Sequence, residues 1–377
     1  MKVCSAVVVF LSVLLPAFPL AAQAPPAKPM QEVLDSLLRV YRLPALAAAV
    51  VEPGGIRYVY GGVRRNDQPE PVQPDDFFHL GSETKGITSL VAARLVEQGR
   101  LHWDAKLLDL VPELRGHARP EYAAVTLDAL LSHRAGIRPY TSGAEVAALP
   151  VFAGSITERR AQFAAHVLQQ SAVAPAAGQG PTVYSNAGYA LAALMLERAA
   201  HRSWEALVAR TCRRLGLRHG LGFPNRASAA QPWGHWLATP SDTVLTPLGP
   251  ALAYRIQDVL APSGDVAMPL PDYARLVQLH LRGLLGQGNY LRAATYQLVH
   301  FGKPDYAYGW GVGTAVGTGA PVSFHDGTAG TFFCHTILYP AEQVAFVVVT
   351  NAGGAAAEKA CYALRRRLRK LRAAHAL

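Results

Sequence analysis

The chain has 377 residues, of which 50% are hydrophobic and 16% are charged. This length allows a sizeable core in one or two domains, and the low charge content argues against long disordered stretches. The formal net charge is +10. Two lysines and five arginines from Lys359 onward supply seven of these charges, so the body of the chain lacks the general basicity of a nucleic-acid-binding protein.

The N-terminal residues are typical of an export signal. Lys2 gives a basic start, residues 6–15 form an apolar run, and Ala22-Gln23-Ala24 fits a cleavage site. The run is too short for a membrane span. We therefore expect a signal peptide over residues 1–24, a linker over 25–30, and a mature chain that is periplasmic or secreted.

The first elements of the mature chain alternate between helix and strand. An amphipathic helix is predicted over residues 31–41, and two strands at 45–51 and 56–61 form a hairpin around Pro53-Gly54. A second helix over 82–98 ends before Gly99, a helix stop signal.

The middle of the chain is mostly helix and loop. Helical patterns cover residues 127–131, 161–168, 187–199 and 204–215. Residues 218–260 have little periodicity and several prolines, which predicts a surface loop of the kind that often forms a wall of a site.

Strands return at residues 310–316, 331–339 and 344–350, before a basic helix closes the chain. This order predicts an α+β fold, in which both chain ends build an antiparallel sheet flanked by helices. The sheet subdomain would comprise residues 31–88 and 261–377 of a single domain spanning 31–377, and the inserted, mostly helical subdomain residues 89–260.

The C-terminal helix carries Leu364, Leu368 and Leu371 at helical spacing, with arginines between them. This pattern favours a helix that packs on the body with a solvated basic face. The alternative is a weak contact between that face and an anionic membrane.

The cysteines do not form the disulfide framework of a small domain. Cys4 would leave with the signal peptide, which leaves Cys212, Cys334 and Cys361, an odd number. One bridge and three buried thiols both remain open alternatives.

Ser82 and Lys85 form the first chemical motif, Ser-Glu-Thr-Lys. Residues three apart share a helix face, so the Lys85 amine can reach the Ser82 hydroxyl and accept its proton. Burial against the apolar helix face would keep the lysine neutral for part of the time. The pair alone is a weak signal, because an N-cap serine followed by a solvated lysine has the same spacing.

Two further motifs carry groups suited to the same chemistry. Tyr184 can relay a proton, and Asn186 can hold an amine and a substrate carbonyl, although the same residues suit a packed turn and a helix cap. His325 precedes Gly327, a residue type that lets a strand edge approach a ligand. A core or surface histidine is the alternative for His325.

Taken in order, these motifs resemble the serine β-lactamase and penicillin-binding protein superfamily. The likeness is strongest to its branch of class C β-lactamases, D-alanyl-D-alanine carboxypeptidases and esterases, and it runs from about residue 31 to 370. It rests on the following stretches: residues 77–82, 95–101, 130–136, 184–191, 308–310 and 350–351.

The resemblance implies a role for each matched residue. Ser82 would be acylated, Lys85 and Tyr184 would handle its proton, and Asn186 would orient the lysine and the substrate. The backbone N–H groups of Ser82 and Thr328 would form the oxyanion hole beside Gly327. His325 would lend positive charge or a hydrogen bond near Tyr184. His133 and Trp310 would be framework residues, and no cofactor or zinc ion is implied.

Asp326 departs from the family pattern, in which relatives that recognise a substrate carboxylate commonly have threonine or serine. If its side chain faces the cleft, it would repel a penicillin or a terminal D-alanine. The substrate would then be a neutral or cationic ester, amide or peptide. If the side chain faces away, this argument does not apply.

The sequence leaves three functions open. The sequence favours an exported serine hydrolase of the esterase, amidase or peptidase type that acts on a small molecule, with no nucleic-acid partner. A β-lactamase or D-alanyl-D-alanine carboxypeptidase is the first alternative. A non-catalytic sensing module on the same scaffold is the second, although no motif residue is missing.

Overall fold

The structure is a computed structural model that describes residues 28–178, 180–237, 239, 244–251 and 256–377. The predicted signal peptide and residues 25–27 of the predicted linker lie outside these residues, whereas residues 28–30 of that linker belong to the first helix. None of the helices within the described ranges combines the length and apolar character needed to cross a membrane.

Eleven strands are assigned in the described residues, and six of them form the main antiparallel sheet, in the order β2-β1-β11-β10-β9-β8. The first and last of the described strands, β1 and β11, are therefore neighbours inside this sheet. The strands are β1 Ala45–Glu52, β2 Gly55–Gly62, β3 Phe77–His79, β4 Gly220–Leu221, β5 His235–Trp236, β6 Thr246–Pro247, β7 Val266–Pro269, β8 Gly311–Thr314, β9 Pro321–Thr328, β10 Phe333–Tyr339 and β11 Val344–Thr350.

Helices fill the middle of the chain and cover both faces of the sheet. They are α1 Lys28–Tyr41, α2 Thr84–Glu97, α3 Leu107–Leu110, α4 Leu127–Leu131, α5 Gly143–Ala147, α6 Ile156–Leu168, α7 Asn186–Ala200, α8 Trp204–Leu215, α9 Pro224–Ala227, α10 Ala261–Gly264, α11 Leu270–Leu284, α12 Ala293–Phe301 and α13 Ala355–Ala373.

The central strands are buried on both faces, and their alternating side chains enter two separate cores. Ala47 and Val347 belong to the larger core, which extends through α2, α7 and α11. Ala48 and Val348 belong to a smaller core, formed with α1 and α13. The sheet therefore separates the helical part of the chain from the terminal pair α1 and α13.

The predicted fold class is confirmed. The β1–β2 hairpin closes at Pro53-Gly54 with Glu52 opposite Gly55, and α2 ends at Glu97, just before Gly99. Strand β9 was not among the predicted elements. It pairs with β8 and β10, and it carries His325.

Three cysteines in the described residues, Cys212, Cys334 and Cys361, are buried free thiols. Of the two alternatives that the sequence left open, one disulfide bridge or three buried thiols, the structure has the three thiols.

Candidate active site

The Ser82 hydroxyl and the Lys85 amine lie at the start of α2, where a 3-10 turn over Gly81–Glu83 leads into the helix. Lys85 Nζ lies 3.1 Å from Ser82 Oγ. The lysine is fully buried, whereas Ser82 is half-buried and lines an open cleft. The nucleophile predicted from the sequence is therefore accessible, and its predicted base lies behind it.

Burial lowers the pKa of Lys85 well below its ordinary value of 10.5. The amine has two further neighbours at 2.8 Å, Asn186 Oδ1 and the backbone oxygen of Ser263. Both are carbonyl oxygens that only accept hydrogen bonds. A neutral amine would donate its two N–H bonds to them and would keep its lone pair for the Ser82 hydroxyl, which is the arrangement a general base requires.

Asn186 is the first residue of α7, and its orientation is fixed from the other side. Its Nδ2 donates to the backbone oxygen of Tyr140 at 3.0 Å, so the amide oxygen must face Lys85. The preceding residue, Ser185, caps the helix by accepting from Gly188 N at 2.9 Å. The capping role expected of this turn therefore belongs to Ser185, which leaves the Asn186 side chain in the site.

The Tyr184 ring lies 4.7 Å from Lys85 Nζ, beside the Ser82–Lys85 pair. Desolvation of the phenol raises the pKa of Tyr184, and the nearby Ser82 partly offsets this effect. The phenol is therefore protonated at neutral pH. It can act as a donor or a relay beside Ser82.

The His325 ring lies on the face of the sheet that carries α2 and the Ser82–Lys85 pair. Its hydrogen-bond partner there is Tyr306. Its Nε2 lies 3.0 Å from the Tyr306 hydroxyl, and its Nδ1 lies 2.8 Å from the backbone oxygen of Asp326. Because the carbonyl can only accept, Nδ1 carries the proton and Nε2 accepts from Tyr306. Burial, and then the nearby Lys85, lower the pKa of His325 to about 4. The ring is therefore neutral at pH 7 and does not supply the positive charge expected near Tyr184.

The end of β9 approaches the nucleophile turn very closely. A side chain at Gly327 would collide with the backbone oxygen of Leu80, and one at Gly81 would collide with the Thr328 backbone. Gly81 also has a φ of +53°, which favours glycine. These two glycines bring the backbones of Ser82 and Thr328 to one end of the cleft, where the oxyanion hole was expected.

The side chain of Asp326 faces away from this site. Its Oδ1 lies 2.7 Å from His335 Nδ1, and its Oδ2 accepts from the Tyr362 hydroxyl of α13 at 2.8 Å. Alternation along β9 places it on the sheet face opposite His325. The expectation that Asp326 contacts substrate and repels carboxylates is therefore corrected, because its carboxylate is engaged behind the sheet.

The cleft in front of Ser82 has a volume of about 480 Å³. None of the described residues that line it has a charged side chain. The predicted loop over residues 218–260 contributes to it, as does the segment that begins at Tyr140. The lining residues are Ser82, Tyr140, Thr141, Ser142, Gly143, Val146, Ala147, Asn186, Ile256, Gln257, Leu260, Ser263, Gly264, Thr328, Ala329 and Gly330.

Two contacts of the site were missed by the sequence analysis. Tyr306 lies between His325 and His133, with its ring centroid 4.5 Å from that of His133. The Ser263 carbonyl is the third neighbour of Lys85. A lone tyrosine and a backbone oxygen carry no spacing signal, so neither could be read from the sequence.

The two expected framework residues pack around the site. His133 accepts a hydrogen bond from Ser185 N at 3.1 Å, and its ring lies 4.3 Å from that of Tyr184. Trp310 packs against α2 at Gly86, where a side chain would meet the indole at 3.1 Å. Both residues support the elements that position Tyr184 and Lys85.

Comparison with known proteins gives a family match over most of the chain. A sequence model described as Beta-lactamase matches residues 30–369. "Penicillin-binding protein 4" of Amycolatopsis lactamdurans is 27% identical over 344 residues, which cover 86% of this chain and 84% of the relative. "Esterase EstB" of Burkholderia gladioli is 35% identical over 123 residues, or 32% of this chain and 31% of the relative.

Solved structures share the fold. "Crystal structure of SurE" superimposes with a TM-score of 0.72 at 23% identity, over 90% of this chain and 75% of that one. "Structure of the octameric penicillin-binding protein homologue from Pyrococcus abyssi" has a TM-score of 0.72 at 19% identity, over 90% and 76%.

Proposed function

The chain belongs to the beta-lactamase family, and from that premise we propose that it is an exported serine hydrolase that cleaves an ester or amide through an acyl-enzyme on Ser82. The observation that carries this proposal is the buried Lys85 amine, 3.1 Å from the Ser82 hydroxyl and held by two carbonyl oxygens. Such an amine has its lone pair directed at the nucleophile.

In the acylation step, Lys85 Nζ takes the proton of the Ser82 hydroxyl while Oγ bonds to the carbonyl carbon of the substrate. The backbone N–H groups of Ser82 and Thr328 stabilise the oxyanion that forms. The oxyanion collapses and breaks the bond to the alcohol or amine. That leaving group takes a proton from the Lys85 ammonium, relayed through the Tyr184 hydroxyl.

Deacylation reverses the proton path. A water molecule attacks the acyl carbon and gives a proton to the Lys85 and Tyr184 pair. The bond to Ser82 Oγ then breaks, the serine regains its proton, and the acid product leaves.

His325 takes no proton in this scheme. We assign it to holding Tyr306, which packs against the Tyr184 ring at 6.0 Å between centroids.

The cleft favours a neutral acyl group. Its described lining combines apolar side chains such as Val146, Ile256 and Leu260 with uncharged polar groups, and it offers no cation to pair with a substrate carboxylate. Lys85 lies behind Ser82 with all three of its hydrogen-bonding directions used. An ester with a small or medium apolar acyl group fits this environment best.

A β-lactam or a cell-wall peptide is the second candidate. The relative named penicillin-binding protein 4 matches 86% of this chain. The objection from Asp326 no longer applies, because its carboxylate binds His335 and Tyr362 behind the sheet.

Intact-protein mass separates these candidates. The chain is exposed briefly to an activated aryl ester or to a penicillin, with Ser82→Ala as the matched control. We expect an acyl adduct or turnover with the ester that is absent from the control. A serine-dependent adduct with the penicillin alone would move the function to the second candidate. If neither reagent and no fluorophosphonate modifies Ser82, the chain is not a hydrolase, and a sensing role would replace the proposal.

A further inference from the structure

Helix α13 has two faces of opposite character. Leu364 and Leu368 are fully buried in the core that α13 shares with α1 and the sheet. On the other side, Arg366, Arg367 and Lys370 are exposed. We call these three residues the basic face of α13.

The described residues supply no carboxylate partner to the basic face. Its neighbours Arg369 and Arg372 have carboxylate partners, Glu342 and Glu52. Within the described part of the chain, the three cations of the basic face form no ion pair with Asp or Glu. The face therefore carries three adjacent positive charges without a counterion among the described residues.

Arg365, at the edge of this face, is destabilised as a cation. Burial lowers its pKa, and the nearby Arg366 and Arg369 lower it further. Its guanidinium donates to the Tyr339 hydroxyl at 3.0 Å. An anion that binds near the face would relieve the repulsion among these cations.

Apolar grooves lie on both sides of the basic face, and Arg366 and Lys370 line both of them. One groove, of about 680 Å³, has Val316 at its rim. The other, of about 340 Å³, has Val40. These valines are 92% and 69% exposed. Exposed apolar side chains next to unpaired cations are typical of a surface that enters the interface of a bilayer.

From this combination we propose that the basic face of α13 docks the protein on a membrane of anionic phospholipids, with Val40 and Val316 entering the headgroup region. The cations would pair with lipid phosphates, and the two valines would leave water. A nucleic acid would satisfy the cations but would gain nothing from the exposed valines.

This docking leaves the candidate active site free. The smaller core and α13 lie on one face of the sheet, whereas α2 and the cleft lie on the other. His325 and Asp326 mark the two faces on adjacent positions of β9. A protein held through α13 would therefore present Ser82 away from the lipid surface.

The experiment is co-sedimentation of the purified chain with vesicles of phosphatidylcholine alone or with one third phosphatidylglycerol, at low and high salt. The test variant is Arg366→Gln/Arg367→Gln/Lys370→Gln. The matched control, Arg202→Gln/Arg210→Gln/Arg213→Gln, removes the same charge from exposed positions just before and within α8. All forms keep the same N-terminus, so any contribution of residues 6–15 is common to them.

We expect binding to the phosphatidylglycerol vesicles at low salt that weakens about 100-fold in the test variant, since each cation contributes roughly fivefold. The control should bind within about threefold of wild type, and unchanged thermal unfolding would show that both variants fold. Val40→Ser/Val316→Ser should also weaken binding. Absence of wild-type binding, or equal losses in both triple variants, would overturn the proposal. The proposal would also be overturned if the valine variant bound the vesicles as well as wild type and the wild-type chain bound an oligonucleotide tightly. That result would indicate a general polyanion site.

Discussion

Asn186 Oδ1 lies 2.8 Å from Lys85 Nζ, although the two residues are 101 positions apart in the chain. The amide is held in place by its second contact, from Nδ2 to the Tyr140 carbonyl. The partner of the Lys85 amine is therefore a neutral amide. An acidic residue at the same position would stabilise the ammonium form. Burial lowers the pKa of Lys85, and a neutral amide beside the amine, unlike a carboxylate, does not oppose that shift.

Asn186→Asp should move the pH dependence of hydrolysis. A carboxylate 2.8 Å from the amine would favour the ammonium and raise the Lys85 pKa. The neutral base appears only as the pH rises through that pKa, so the acidic limb of kcat/KM should shift to higher pH. At pH 7 we expect a loss of about 10- to 100-fold, since one pKa unit is a tenfold change.

The measurement is a pH profile with an activated aryl ester between pH 5 and 10. Asn186→Ala is the control, because it removes the acceptor without adding charge and should lower the plateau while leaving the limb unshifted. If the acidic limb of the Asn186→Asp pH profile coincided with that of the wild-type profile, this would contradict the role of Lys85 as the titrating base.

Lys85→Arg should be nearly as inactive as Lys85→Met. An arginine stays protonated at every accessible pH and has no lone pair for the Ser82 proton. Loss of a general base costs about 10² to 10⁴ in rate. Pre-steady-state acylation by a nitrophenyl ester measures the affected step directly. Retention of Lys85→Arg activity within tenfold of wild type would mean that the lysine acts only through its charge.

The local elements of the fold could be predicted from the sequence, whereas β9 could not. Helix α2 and the β1–β2 hairpin have clear periodicity and stop signals. Strand β9, Pro321–Thr328, contains proline, glycine, histidine and aspartate, which are weak or unfavourable strand formers. It is a strand because β8 and β10 pair with it on either side, a tertiary effect that no local pattern reports.

The same distinction applies to the candidate site. Ser82 and Lys85 are three residues apart, so helix geometry alone predicts their contact. The contacts from Ser263 and Tyr306 come from distant segments and have no sequence signal. The sequence leaves both orientations of Asp326 open, because no local pattern marks β9 as a strand. Adjacent residues of a strand face opposite ways, so His325 and Asp326 could not both face the cleft.

Asp326→Ala should affect stability and leave selectivity unchanged. His335 and Tyr362 would each lose a hydrogen-bond partner behind the sheet, at a cost of about 2 kcal/mol in the free energy of unfolding. The ratio of kcat/KM for a neutral ester to that for its carboxylated analogue should stay within twofold of wild type. A rise of more than tenfold for the carboxylated ester would restore Asp326 as a selectivity residue.

The difference in unfolding free energy between wild type and a variant that lacks the Asp326 carboxylate should depend on pH. Burial acts to raise the pKa of Asp326, but the hydrogen bonds from His335 and Tyr362 hold it below its ordinary value of 3.8. The contribution of the carboxylate is therefore present above pH 3.8 and is lost as the pH falls through the folded-state pKa. Denaturant unfolding at pH 7 and pH 3 should show a smaller gap between wild type and Asp326→Asn at the lower pH.

Glu83→Gln should stabilise the protein, although the residue adjoins Ser82. Glu83 is buried, its Oε2 accepts from the Tyr273 hydroxyl at 2.6 Å, and burial raises its pKa to about 8. The folded state thus holds a proton that the unfolded chain, with an ordinary pKa of 4.5, releases. The free energy of unfolding of wild type must then fall as the pH rises from about 4.5 to 8.

Glutamine matches the shape of the protonated acid and does not titrate, so the variant should lack this decline. By pH 8, Glu83→Gln should exceed wild type by an amount on the order of 3–4 kcal/mol, whereas at pH 5 the two should differ by less than about 1 kcal/mol. Denaturant unfolding at pH 5, 6.5 and 8 measures the difference. Glu83→Ala is the control for volume, because its cavity should destabilise at every pH. A gap between Glu83→Gln and wild type that does not change between pH 5 and 8 would mean that Glu83 does not titrate in this range.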